Sequence, residues 1–153
     1  MYQMVHNQHI DVRVRTGAEA PTVYALLRDG ASWPTWTAID SFHLEWDGER
    51  EPEGIGAIRV FGKGKVTGRD QVTELIPDRR FSYLHLSGLP VRGYRGDVDL
   101  EPIEEGTRIR WHVSFPPKVP GTGWLLRWGI ERFVTQSARG LAAYAHTASV
   151  DDR

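Results

Sequence analysis

The 153-residue chain contains no cysteine, no run of 18 apolar residues and almost no net charge, the formal balance being −1. The missing cysteine excludes disulfides, thiolate nucleophiles and cysteine-ligated metals, and it fits a cytoplasmic setting. Without a long apolar run or a basic-then-apolar leader, the chain is expected to have neither an integral membrane span nor a secretory signal. A net charge near zero provides no field to draw nucleic acid or an anionic surface. Internal repeats, linkers and low-complexity stretches are also absent. A chain of this length reads as one domain, 1–153, with its core over about 9–147, and it buries roughly two thirds of its unfolded surface.

What is present is aromatic. Four of the six tryptophans sit at two places, Trp33/Trp36 and Trp124/Trp128. The last long stretch, Gly121 to Thr147, is the one segment with the length and period of a major helix. At 100° per residue, Leu126, Ile130, Phe133, Val134, Ser137, Leu141 and Tyr144 fall on one side, the width of a core-facing stripe. Gly129 and Gly140 lie just outside that stripe, each costing about 1 kcal/mol against alanine. They are expected to let the sheet approach closely or to leave room for a ligand. Trp124 and Trp128 lie off the stripe. Two readings stay open for them: burial under the Pro116–Thr122 loop, or an exposed patch for a ligand, a membrane surface or a homodimer partner.

Upstream, His9 to Arg15 alternates as a half-buried strand. Ala20-Pro21 opens a short helix that ends at Asp29-Gly30. Ser32-Trp33-Pro34-Thr35-Trp36 starts a second, with Ser32 as its cap. Strands then follow over Ile39–Trp46, Gly56–Gly62, Lys65–Ile76, Arg80–Leu86, Val91–Glu101 and Thr107–Phe115, divided by turn residues. The order predicts an α+β domain in which a curved antiparallel sheet of about seven strands wraps the long helix. A cavity between sheet and helix is the natural ligand site.

Ile109, Trp111, Val113 and Phe115 alternate with polar residues and are expected to face that helix, as are Tyr94, Val98 and Leu100. If Phe81, Tyr83 and His85 also face inward, together with Ala57, Arg59 and Phe61, then polar groups enter an apolar space. Arg59 then needs a partner, and Asp70 on the neighbouring strand is the candidate. Tyr83 and His85 are of the right type to hold or protonate a carbonyl. The other reading is an internal salt bridge among ordinary core aromatics. The six histidines show no zinc spacing, so no metal is expected. Gly62-Lys63-Gly64-Lys65 joins two strands and reads as a hairpin, not a phosphate loop.

Several segments together resemble one family: Ala31-Ser32-Trp33-Pro34-Thr35-Trp36-Thr37, Gly56-Ala57-Ile58-Arg59-Val60-Phe61, Arg79-Arg80-Phe81-Ser82-Tyr83 and Leu86-Ser87-Gly88-Leu89-Pro90. The Gly106–Trp111 strand and Pro120-Gly121-Thr122-Gly123-Trp124 complete the match. They are similar to the START-like (SRPBCC) helix-grip superfamily, in its bacterial polyketide cyclase/dehydrase-like subgroup. The resemblance implies a hydrophobic ligand cavity but does not select a reaction; no cofactor is expected.

Three functions are therefore carried forward. The first is binding of a hydrophobic or aromatic small molecule, lipid- or polyketide-like, lined by Trp33, Trp36, Arg59, Phe61, Phe81, Tyr94, Trp111, Ile130, Phe133 and Val134. The second is a cyclase/dehydrase-type enzyme with Tyr83, His85 and Asp70 as acid/base residues and Arg59 fixing an oxygen anion. The third is an interaction protein whose cavity is filled by its own side chains.

Overall fold

The computed structural model describes residues 7–116 and 123–151. Strand β1 (Gln8–Thr16) leads through α1 (Ala20–Arg28) and a single 3-10 turn into the short helix α2 (Trp33–Trp36). Six strands follow: β2 (Ser41–Trp46), β3 (Ile58–Lys63), β4 (Val66–Ile76), β5 (Arg80–Ser87), β6 (Arg95–Ile103) and β7 (Gly106–Phe115). Helix α3 (Gly123–Asp151) ends the described chain, and the loop expected over Trp124 and Trp128 lies largely outside the described residues. All seven strands form one sheet in the order β1-β7-β6-β5-β4-β3-β2, every neighbouring pair antiparallel.

The alternation in β7 is followed without exception. Ile109, Trp111, Val113 and Phe115 are all buried, while the residues between them are half-buried on the outer face. Strand β6 starts later than the sequence pattern implied, at Arg95. Val91 to Tyr94 form an irregular approach, and only the Tyr94 carbonyl, which accepts from the His85 amide, continues the ladder. Ser32 does not cap α2. Its hydroxyl donates instead to the Leu26 and Asp29 carbonyls, satisfying acceptors at the end of α1.

Helix α3 packs against β1, β7, α1 and α2. Its buried stripe is Ile130, Val134, Ser137, Ala138, Leu141, Ala142 and Ala145, and Tyr144 is exposed, contrary to expectation. Alanines occupy much of the stripe, and the Thr16 hydroxyl donates to the Ala142 carbonyl at 2.7 Å. Gly140 marks the tightest point. A Cβ there would run into the Trp36 carbonyl, so the glycine admits the end of α2 rather than the sheet.

The outer face of the sheet is ionic. Arg110 grips Asp11 across the β1–β7 pair at 2.8 Å, and that hydrogen bond holds the Asp11 carboxyl down to about 2.

Candidate functional site

The inward faces of β3 and β5 are the aromatic ones. Phe81, Tyr83 and His85 are buried, as are Ala57, Arg59 and Phe61. Between this part of the sheet and the first turns of α3 lies a cavity of about 610 Å³. Its walls are apolar: Trp33, Ile39 and Phe61 on one side, and Leu126, Ile130 and Phe133 of α3 on the other. Its open end is framed by Lys63 and Val66 at the β3–β4 hairpin, Gly88–Pro90 after β5, and Leu125 with Gly129 on α3. A Cβ at Gly129 would meet no atom within 4 Å, so this glycine leaves space at the cavity where Gly140 admits backbone.

Polar groups enter at one place. In register, Arg59 stands opposite Asp70 and Asp70 opposite His85, so the three form one row across β3, β4 and β5. The expected Arg59–Asp70 pair does not form. Asp70 turns to His85 and accepts at 2.8 Å from Nδ1, while His85 Nε2 accepts the Leu89 backbone N–H at 3.0 Å. The second bond sets the tautomer, because a nitrogen that accepts carries no proton, so the ring's proton sits on Nδ1 and is donated to Asp70. Tyr83, one residue pair further along β5, lies over Gly96, where any side chain would collide with its ring. Its hydroxyl accepts from Trp111 Nε1 at 3.1 Å. Burial pushes the Tyr83 and Tyr94 phenols above the ordinary tyrosine range, so both keep their protons at neutral pH.

Arg59 points elsewhere. Its guanidinium donates to the Leu27 carbonyl at 3.1 Å and lies 3.3 Å from Glu53, with the rings of Trp33, Phe42, Phe61 and Phe81 packed around it. Burial pulls it down to about 10, against the pull of Glu53 and then Asp70, which leaves it charged at neutral pH. Trp33 Nε1 donates to the same Leu27 carbonyl, so Arg59 and Trp33 together close the end of α1.

Of the residues expected to bind ligand, Trp33, Phe61, Tyr94, Ile130 and Phe133 line the cavity, and so do the acid/base candidates Tyr83, His85 and Asp70. Trp36, Arg59, Phe81, Trp111 and Val134 do not line it; the four apolar ones belong to the packed core, and Arg59 is buried among its rings. Among the residues the sequence reading left out are Ile39, Leu126, Gly68 and the Gly88–Pro90 strap. The Leu-Ser-Gly-Leu-Pro run was the available signal for the strap. Trp124 and Trp128 are 70% and 55% exposed, with the Arg132 guanidinium 5.5 Å from the Trp128 ring. Among the described residues no helix is long and apolar enough to cross a membrane.

A sheet curled around a C-terminal helix, with an apolar hollow between them, defines a helix-grip protein of the START-like superfamily. The model of the family "Polyketide cyclase / dehydrase and lipid transport" matches residues 7–146, and the chain belongs to that family. Among solved structures, Ara h 8.0201 superposes with a TM-score of 0.75 at 13% identity, covering 93% of this chain and 99% of that one. The major latex-like protein 151 of Panax ginseng gives 0.71 at 12% identity, with 91% and 97% covered. The Aha1 dimer from Colwellia psychrerythraea gives 0.64 at 18% identity, with 88% and 96% covered. At these identities the likeness is one of fold. Among curated proteins, none matches the sequence of this chain.

Proposed function

We propose that the protein binds a hydrophobic or aromatic small molecule, lipid- or polyketide-like, between β3–β5 and the start of α3. The observation that carries this reading is the cavity of about 610 Å³, apolar on both walls and open at one end. Volumes of roughly 300–1,000 Å³ hold small-molecule ligands, and apolar walls with a few placed polar groups are their usual lining. A cavity of this size also argues against an interaction protein filled by its own side chains. Native mass spectrometry of protein purified from its own host tests the reading. A co-purifying apolar molecule supports it, and protein that stays free of ligand through several extractions counts against it.

A second reading, a cyclase/dehydrase-type enzyme, is favoured by one observation: Asp70, His85 and Tyr83 lie together on the cavity wall. In that reading His85 is the base, oriented by Asp70, and Tyr83 is the acid. Arg59 is left out of this reading, since it does not line the cavity and its Nη1 is given to the Leu27 carbonyl. Turnover of a poly-β-carbonyl substrate that disappears in both His85→Gln and Tyr83→Phe, with binding retained, would establish it. Turnover unchanged in both would remove it.

Self-association through the Trp124/Trp128 region belongs to the same proposal, supported by the exposure of both rings. Sedimentation equilibrium of the wild type against a Trp124→Ser/Trp128→Ser variant decides it.

A further inference from the structure

Resting on the ligand-binding reading, we propose that the Leu89 amide is a stand-in for the ligand. It occupies the position on His85 Nε2 that a hydroxyl of the bound molecule takes, so the cavity selects hydroxylated aromatic compounds, and their entry releases the Gly88–Pro90 strap. The inference follows from which atoms give protons and which accept them. With Nδ1–H held by Asp70 at 2.8 Å, Nε2 accepts and cannot donate. A ketone, ether or ester oxygen therefore gains nothing there. A cationic amine would donate, but it would carry a charge into apolar walls at a high desolvation cost. A neutral hydroxyl donates without that cost. Beside it, the Tyr83 oxygen already accepts the Trp111 N–H, which leaves its phenolic proton to give. At the polar end His85 Nε2 thus presents an acceptor and Tyr83 a donor, and a phenolic or enolic hydroxyl satisfies this pair in both directions.

The cap is built to come off. Leu89 and Pro90 are exposed, and the Leu89 side chain stands at the mouth of the cavity. Its amide meets water as soon as it leaves His85, so no donor is stranded. Gly88 supplies the hinge. It has φ +119, which side chains rarely adopt, and a Cβ there would sit 2.6 Å from the Thr67 carbonyl. The chain is therefore held against β4 at Gly88 and again at Val91, which is buried in the core and donates its N–H to the Leu89 carbonyl at 2.7 Å, so the exposed Leu89–Pro90 pair between them is the part that moves. Opening exposes Nε2 and widens the mouth in one movement.

The test compares naphthalene, 2-methoxynaphthalene and 2-naphthol, titrated into protein labelled with ¹⁵N at histidine and at the backbone. In the wild type 2-naphthol should bind roughly fivefold more tightly than its methyl ether, the margin of one net hydrogen bond. The His85 Nε2 and Leu89 amide resonances should move with 2-naphthol and stay with the other two. The preference should vanish in His85→Phe and largely return in His85→Gln, whose side-chain oxygen accepts. If His85→Phe does not fold, the Leu89 amide in the wild type still decides. Equal binding of 2-naphthol and its ether, or a Leu89 amide that does not respond, overturns the hydroxyl proposal and leaves the ligand-binding reading standing. If all three compounds fail to bind, the ligand-binding reading falls and takes this one with it.

Discussion

Phe81 and Tyr83 sit two residues apart on one strand, facing the same way, yet they belong to different environments. Phe81 is 1% exposed and packs with Trp33, while Arg59 lies 5.2 Å from its ring. Tyr83, 6% exposed, looks into the cavity. The concave side of the sheet is thus filled at one end and hollow at the other. The filled end is where α1 and α2 meet the sheet, and there Trp33, Trp36 and Trp111 make edge and tilted contacts at 4.8–6.2 Å. Arg59 holds the end of α1 in place from within. At the hollow end the sheet faces the first turns of α3 across the cavity, and Gly129 adds no side chain. Stability is expected to reside in the first region and ligand selection in the second.

The strongest challenge to that division is Trp111→Ala, which removes the largest fully buried side chain. It should cost about 3–5 kcal/mol, read by urea unfolding. Phe133→Ala on the cavity wall should cost far less and weaken binding of an apolar probe instead. Equal losses from the two would erase the division.

Next come the two glycines of α3. Gly140→Ala should destabilise by about 1–3 kcal/mol despite its better helix propensity, because the added methyl strikes the Trp36 carbonyl. Gly129→Ala, with nothing in its way, should stabilise by about 0.5–1 kcal/mol. Thermal melts that ranked them in the opposite order would mean the helix is seated differently.

The smallest effect lies on the outer face. The Asp11 carboxyl is held at about 2, below its ordinary 3.8, by Arg110. A carboxyl whose folded value is depressed contributes stability above the unfolded value and loses it as pH falls through the folded one. That contribution should disappear between about pH 4 and pH 2. In Arg110→Gln an NMR titration should find Asp11 raised toward its ordinary value, with Arg13 still beside it, and the cavity's affinity for the probe unchanged. Loss of affinity in that variant would show that the two faces of the sheet are coupled.

Much of the fold could be read from the residues alone. Strict alternation in β7 identified Ile109, Trp111, Val113 and Phe115, and Pro21 marked the first turn of α1. Tyr144 was misjudged: the hydrophobic pattern put it on the buried stripe, and it is exposed. The buried line runs instead through Ala138, Ala142 and Ala145, and at Gly140, beside it, a Cβ would run into the Trp36 carbonyl. Two features of the site left no trace in the pattern. Glu53, the ionic partner of Arg59, comes from a charged loop that alternation does not reach. The Leu89 group on His85 is backbone, which every residue but proline carries. Nor does alternation tell a filled face from a hollow one. Phe81 and Tyr83 obey the same period.

The most direct test of the division is a titration of naphthalene into protein labelled at the isoleucine δ-methyls, followed by methyl NMR. Ile39 and Ile130 line the cavity, whereas Ile10 and Ile109 lie in the packed core. The account predicts saturable shifts at Ile39 and Ile130 with one molecule bound per chain, and still resonances at Ile10 and Ile109. Silence at Ile39 and Ile130, or shifts confined to the exposed Ile55 and Ile76, would contradict it.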